Sequence, residues 1–152
     1  MPQQTGLMDE LMNRYQKTAV AVALYRFEEN LREALRWLDG AEVDGILFHR
    51  RLDLPEGERV AAKKLIAKSL AEIEALAQSL NLEKQEENSA RDLMAVMNMS
   101  WEELSDSLSY KLRGFGPVNP GLSGLLDAPL EHLAHYAYRL GNIFARGRKA
   151  LS

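Results

Sequence analysis

Apolar residues in the first quarter of the chain follow a helical repeat that changes face midway. No proline or glycine lies between Leu7 and Asp39, and Gly40 follows where a helix is expected to stop. The pattern predicts a long helix over residues 7–38. Its two apolar stripes differ in direction by about a third of a turn. The first-half stripe is Met8, Leu11, Met12, Tyr15, Ala19 and Val22, and the second-half stripe is Leu24, Phe27, Leu31, Ala34, Leu35 and Leu38.

The joint between the two stripes, residues 19–24, is apolar on every side of the helix. We hypothesise that the two halves of the helix contact different partners, one being the chain's own helices and the other a second copy of the protein. A gentle bend within one monomeric core is the alternative. The candidate contact residues in this joint are Ala19, Val20, Ala23 and Leu24.

A second helix is predicted from Asp53 and Pro55 to about Leu80, because aspartate caps free N–H groups and proline suits a first turn. Its apolar residues repeat every three or four positions, which is typical of a bundle helix packed antiparallel to the first. Residues 40–54 are too apolar for a free loop, and we expect a short helix or an extended segment folded back on the core. The basic cluster His49–Arg51 is interpreted as a solvated turn rather than an anion site.

Residues 86–152 carry shorter helical patterns. A third helix is expected from about Ser89. A fourth is expected from Ser100, since Ser100 and Glu103 match a capping box, and Gly114 should end it.

A crossover rich in glycine and proline follows over residues 114–128, and Asp127 and Pro129 are expected to start a last helix that ends near Ala145. One face of this helix is predicted to be the core stripe. It consists of Leu130, Leu133, Ala137, Leu140 and Phe144. The opposite, outward stripe is predicted to be a contact surface, because tyrosine beside polar groups is common at interfaces. It consists of Glu131, His135, Tyr138 and Asn142.

These patterns predict an all-α fold, namely a four- to five-helix up-and-down bundle built on a long N-terminal helical hairpin. We expect a single helical domain over residues 1–152. Residues 1–85 would form the hairpin, and residues 86–152 would form the shorter helices with their crossover.

Composition narrows the classes of function. Hydrophobic residues make up 46% of the chain and charged residues 27%, as in ordinary folded proteins. The net charge of -3 gives no general attraction to nucleic acid or anionic membranes. Cysteine is absent, which excludes disulfides and thiolate metal sites. With no secretory signal evident and no apolar run of membrane-spanning length, we predict a cytoplasmic protein.

The histidines His132 and His135 are the obvious candidates for chemistry, since a His-x-x-His spacing on a helix can bind a metal. Bundle carboxylate sites use Glu-x-x-His, but residue 134 after Glu131 is alanine. We therefore predict no metal site and no cofactor. No serine–histidine–acid or cysteine-based arrangement is suggested, which favours a non-enzymatic role without catalytic residues.

Residues 91–141 resemble the phage-repressor type of helix-turn-helix domain in outline. The stretches Arg91-Asp92-Leu93 through Ser100-Trp101-Glu102-Glu103-Leu104 look like its first two helices, and Pro129-Leu130-Glu131-His132-Leu133 through Leu140-Gly141 looks like its closing helix. The resemblance implies DNA binding. Where the recognition helix should lie, Asn119-Pro120-Gly121-Leu122-Ser123-Gly124 has no arginine, lysine or glutamine to contact bases.

We therefore expect a non-enzymatic helical protein–protein interaction or regulatory protein, acting as a homo-oligomer or as a subunit of a larger assembly. Its partner would be a second copy or another protein, and not a membrane. The first alternative is a helix-turn-helix-like DNA-binding regulator. The second alternative is a helical bundle that binds a small ligand or a metal.

Overall fold

The computed structural model describes residues 11–147, and these form four α-helices, one 3₁₀ helix and a two-stranded sheet. The prediction of an all-α fold is confirmed, since 72% of the residues that the structure describes are helical. In chain order the elements are α1 (Arg14–Leu38), β1 (Glu42–Asp44), β2 (His49–Arg51), α2 (Glu56–Ser79), α3 (Ala90–Ser105), the 3₁₀ helix (Ser109–Phe115) and α4 (Leu122–Gly147).

Helix α1 begins later than the apolar pattern predicts. Asn13 is extended, with φ -78° and ψ 171°. Its side chain accepts the Gln16 N–H at 2.8 Å, and the Gln16 side chain accepts the Asn13 N–H at 2.9 Å. This capping box starts the helix at Arg14, so the prediction of one unbroken helix over residues 7–38 is wrong at Asn13. Residues 7–10 and Met8 of the first-half stripe lie outside the described residues.

A β-hairpin connects α1 to α2. Strands β1 and β2 pair antiparallel, with Val43 opposite Arg50, and the Gly45 N–H donates to the Phe48 carbonyl at 2.9 Å. Of the two forms expected for residues 40–54, the extended one is therefore present. The expectation that it folds back on the core is wrong at its tip, where Ile46 and Leu47 are 102% and 85% exposed. The close pairing of Gly45 with Phe48 forms a tight loop that points these side chains outward.

Helix α2 begins at Glu56, with Pro55 as its N-cap residue and no side-chain cap, so the predicted capping role of Asp53 is not observed. The Arg59 guanidinium instead connects three elements, since it donates to the carbonyl oxygens of Leu38 and Leu52. Leu38 and Ile66 are the large apolar side chains buried between α1 and α2, at 4% and 6% exposure. These contacts hold the start of α2 against the end of α1.

A single helix, α3, covers the region where two were predicted. Ser100 lies within it and is half-buried, so the predicted helix start at the Ser100–Glu103 capping box is wrong. A capping residue must leave helical geometry. No glycine or proline interrupts residues 90–105, and α3 packs against α4 on both sides of Ser100 through Met97 and Trp101. That packing keeps the helix continuous.

Helix α4 begins at Leu122, so Pro129 lies inside it and the predicted start at Asp127 and Pro129 is wrong. Asp127 does cap a helix, but a different one. Its carboxylate accepts the Ser109 N–H at 2.8 Å and the Ser109 hydroxyl at 2.7 Å, at the start of the 3₁₀ helix. Gly114, predicted to end the fourth helix, lies within this 3₁₀ helix. The crossover is therefore shorter and more ordered than residues 114–128 suggested.

Backbone contacts divide the chain into two compact units, residues 1–84 and residues 85–152. We call them the N-terminal unit and the C-terminal unit. The boundary falls beside the predicted division at residues 85 and 86. A single domain over residues 1–152 and an up-and-down helix topology stay predictions.

Candidate interaction surface

Helix α3 of the C-terminal unit packs side by side with the C-terminal part of α4. The Asn88 side-chain amide donates to the Gly147 carbonyl at 2.7 Å, before the start of α3 and at the end of α4. Further along, the Trp101 ring lies 6.4 Å from the Tyr138 ring. Because residue numbers rise along α3 as they fall along α4, the two helices are antiparallel.

The seam between α3 and α4 consists of small residues. Ala134 and Ala137 are 7% and 6% exposed, and Gly141 is also buried. A Cβ atom added at Gly141 would lie 2.7 Å from the Asn98 side-chain oxygen, so a side chain at this position would have to displace that of Asn98. The predicted core stripe of α4 is therefore wrong at Leu133 and Leu140, which are 50% and 39% exposed. The seam of α4 runs along its small residues, which lie on a different face of the helix from these leucines.

Large apolar side chains of α4 are left on one side of this seam. Leu133, Tyr136, Leu140 and Ile143 follow a spacing of three, four and three residues, which places them along one face of the helix. Leu93 and Val96 of α3 are offset from the seam in the same rotational sense. In an antiparallel pair, residues offset in the same sense lie on the same side.

We call this set the apolar face. It consists of Leu93, Val96, Leu133, Tyr136, Leu140 and Ile143, and its side chains are between 39% and 55% exposed. Exposed apolar side chains grouped on one side of a helix pair are a candidate site for contact with another protein.

Charged residues border the apolar face differently on its two edges. Asp92 and Glu103 are exposed along the α3 edge, and Arg139 is exposed along the α4 edge. The α3 edge is therefore acidic and the α4 edge is basic. A partner with a basic edge facing α3 and an acidic edge facing α4 would complement both charges.

The predicted outward stripe of α4 lies on the other side of the seam. Glu131, His135, Tyr138 and Asn142 are all exposed. Tyr138 is 51% exposed and tilts against Trp101 at 51° between ring planes, so part of its ring already packs on α3. These four side chains share one face, as the spacing predicts, and their role as a contact surface stays a prediction.

The predicted contact residues of α1 differ in exposure, and their role as a contact surface stays a prediction. Ala19 and Ala23 are exposed, whereas Val20 and Leu24 are half-buried on the side that carries the buried Leu38. The exposed residues of the first-half stripe include Leu11, Tyr15 and Val22, at 66%, 82% and 41%.

The two histidines of the predicted metal candidate, His132 and His135, are exposed on α4. Within residues 11–147, no group of three or more histidine, cysteine, aspartate or glutamate side chains is arranged to hold a metal ion. In the same residues, no helix is long and apolar enough to cross a membrane.

Sequence reasoning missed the apolar face, although a signal for it is present. The spacing of Leu133, Tyr136, Leu140 and Ile143 is as regular as that of the assigned core stripe. The deciding feature is the parallel stripe of Ala134, Ala137 and Gly141, because small residues on one face permit close helix approach. Where a helix carries a stripe of small residues beside a stripe of large ones, the small residues indicate the seam.

The structure also departs from the helix-turn-helix outline. Helix α3 runs continuously through both stretches that resemble the first two helices, and residues 106–121 form a 3₁₀ helix and turns in place of a recognition helix. Comparison of the chain with protein-family models, with curated proteins and with solved structures found no match.

Proposed function

We propose that this chain is a non-enzymatic helical interaction or regulatory protein that acts as a homodimer through the apolar face. In this proposal the face of one copy packs on the same face of a second copy. The two helix pairs then form an intermolecular four-helix bundle, with α3 of one copy over α4 of the other.

The observation that carries the proposal is the small apolar core of the C-terminal unit. Over residues 85–147, the buried hydrophobic side chains are alanines, Ala90, Ala134 and Ala137. Full burial of a leucine or isoleucine stabilises by roughly 1.5–3 kcal/mol, so covering a half-exposed one contributes about 1 kcal/mol. The apolar face has three leucines, one isoleucine, one valine and one tyrosine. Covering all six would contribute about 6 kcal/mol, which is comparable to the whole stability of a small domain.

The borders of the apolar face support a second copy as the occupant. A two-fold axis parallel to the helices brings the α3 edge of each copy against the α4 edge of the other. Glu103 then approaches Arg139 of the second copy, and the acidic Asp92 lies toward the same basic edge. Such exposed pairs add little affinity, but they select register and suppress wrong partners.

The test uses sedimentation equilibrium of the full chain at micromolar concentration. Leu140→Glu introduces a charge at the centre of the apolar face and should convert a dimer into a monomer. Leu47→Glu is the matched control, because Leu47 is 85% exposed at the hairpin tip and outside the face. The proposal is wrong if the parent chain is monomeric or if Leu140→Glu leaves the dimer intact.

A charge reversal tests the choice of occupant. Glu103→Arg and Arg139→Glu should each weaken dimerisation, and the two changes combined in one chain should restore it. If the single changes have no effect, or the double variant is no better than either, the proposed register is wrong.

The proposal extends to a second class of partner. The exposed stripe Glu131, His135, Tyr138 and Asn142 lies outside the apolar face and would remain accessible in the dimer, so we propose it as the surface for a different protein. A cytoplasmic location is part of the proposal, since a chain without cysteine needs no oxidising compartment.

A further inference from the structure

The N-terminal unit contains an open cavity of about 400 Å³ between α1, β2 and α2. Its apolar floor is lined by Trp37, Leu52 and Leu54, together with Leu38 and Ile66, which are only 4% and 6% exposed. Arg50 and Arg51 lie at its edge. Pockets for small molecules have volumes of about 300–1,000 Å³ and combine apolar walls with few polar groups, as this one does.

The indole of Trp37 holds one of these arginines in place. The Trp37 N–H donates to a Glu33 side-chain oxygen at 2.9 Å, which fixes the ring, and the Arg50 guanidinium carbon lies 5.0 Å from the ring centroid. A guanidinium attracted to an aromatic face retains N–H donors that can bind an anion. Arg50 is therefore positioned without using up its hydrogen-bonding capacity.

Neither cavity arginine is neutralised by a carboxylate. By contrast, two arginines of α1 are paired with carboxylates: Arg32 with Glu28 at 2.7 Å, and Arg36 with Glu33 at 3.1 Å. Among residues 11–147, no aspartate or glutamate oxygen lies within 4.0 Å of the Arg50 or Arg51 guanidinium. The Arg50 guanidinium beside the apolar cavity thus remains available, whereas Arg51 projects from the opposite face of the strand, on the side of its cross-strand neighbour Glu42.

Acidic side chains nearby limit the charge of a ligand. Glu42 and Asp53 line a neighbouring depression of about 300 Å³ on the other side of Arg51. Their repulsion would oppose a polyanion such as a polyphosphate more strongly than a single carboxylate. The apolar floor likewise selects a ligand with a hydrocarbon body.

We propose that this cavity binds an organic monocarboxylate with an apolar body. Arg50 binds the carboxylate through its guanidinium N–H groups, and the hydrocarbon part lies against Trp37, Leu52 and Leu54. Arginine suits this role because its planar donor array matches a carboxylate in two parallel hydrogen bonds.

The test uses Trp37 fluorescence as the reporter of binding. The chain contains two tryptophans, so Trp101→Phe leaves Trp37 as the single emitter. Titration of this variant with decanoate, below its critical micelle concentration, should give a saturable change in emission. 1-Decanol, which has the same chain length and no charge, should bind at least about tenfold more weakly.

Substitutions locate the site. In the Trp101→Phe background, Arg50→Gln should weaken decanoate binding at least about tenfold, as expected for the loss of a hydrogen bond to a charged group. Arg51→Gln, on the opposite face of strand β2, should bind as its parent does. Arg32→Gln is the matched control on α1 and should bind as its parent does. Circular dichroism spectra that superimpose on the parent spectrum establish that the variants remain folded, and Arg50→Lys provides a second variant that keeps the charge.

The outcomes separate this site from the proposed dimer. Every residue of the cavity belongs to the N-terminal unit, so the monomeric Leu140→Glu chain should bind decanoate as the parent does. The site is refuted if decanoate and 1-decanol bind equally, or if Arg50→Gln titrates like the parent. Arg50→Lys should bind more weakly than the parent, and equal binding would refute two-bond recognition by Arg50.

Discussion

The two helix pairs of this chain bury different kinds of residue. Between α1 and α2 the buried side chains are large, Leu38 and Ile66, and the Arg59 guanidinium ties the pair to the hairpin. Between α3 and α4 they are Ala134, Ala137 and other small residues, and the large ones face outward. Both pairs are rich in apolar residues, so the amount of hydrophobicity does not decide which face is the seam. Large residues form the seam between α1 and α2, whereas in α4 the stripe of small residues forms it.

The first prediction tests the large-residue seam and has the largest expected effect. Leu38→Ala should lower the free energy of unfolding by about 2–5 kcal/mol, because it leaves a cavity at a side chain that is only 4% exposed. Urea unfolding followed by circular dichroism measures the loss. Leu47→Ala, at an 85% exposed position, should change stability by less than about 0.5 kcal/mol. Equal losses in both variants would contradict the assignment of Leu38 to the seam.

The second prediction tests the small-residue seam. Gly141→Leu should destabilise the chain by about 1–3 kcal/mol, since an added Cβ already lies 2.7 Å from the Asn98 side-chain oxygen. Gly124→Ala is the control within the same helix, because nothing lies within 4 Å of an added Cβ there. That change should be neutral or stabilise by up to about 1 kcal/mol. A Gly141→Leu variant as stable as the parent would show that α3 and α4 do not approach closely.

The third prediction compares a cap that forms with one that does not. Asp127→Ala removes two hydrogen bonds to Ser109 and should cost about 1–2 kcal/mol. Ser100→Ala removes the hydroxyl of a residue inside α3 and should change the unfolding free energy by less than about 0.5 kcal/mol. A larger loss of stability for Ser100→Ala than for Asp127→Ala would contradict the continuous helix α3 and indicate that a helix starts at Ser100.

The smallest effect is expected for an ion pair between α1 and α2. Lys63 and Asp39 approach to 2.8 Å, but their side chains are 42% and 58% exposed. Solvent screens such a pair, so Lys63→Met should alter stability by less than about 1 kcal/mol. The effect should shrink further in 1 M salt. A larger loss that persists in high salt would assign the pair a structural role that its exposure argues against.

Local signals in the sequence predict the elements of this fold better than their ends. The all-α class and the position of α2 follow from apolar periodicity, and both agree with the structure. The capping signals of Ser100 and Asp127 mislead for different reasons. Ser100 stays helical because α3 packs on α4, and Asp127 caps a 3₁₀ helix that begins at Ser109, 18 residues earlier. Neither outcome is visible from neighbours in sequence, since both depend on contacts between elements.

The candidate surfaces show the same limit. Residue spacing correctly grouped Glu131, His135, Tyr138 and Asn142 on one exposed face of α4. It did not identify the apolar face, because two apolar stripes of α4 compete for the seam and only packing against α3 selects between them. Likewise, the strand pairing brings Arg50 beside Trp37, which lies 13 positions earlier in the chain.

Native mass spectrometry of the full, unmodified chain tests the central claim most directly. The account predicts a species at twice the chain mass of 17.1 kDa at micromolar concentration, and its loss in the Leu140→Glu variant. A parent chain that is monomeric under these conditions would contradict the proposal that a second copy covers the apolar face.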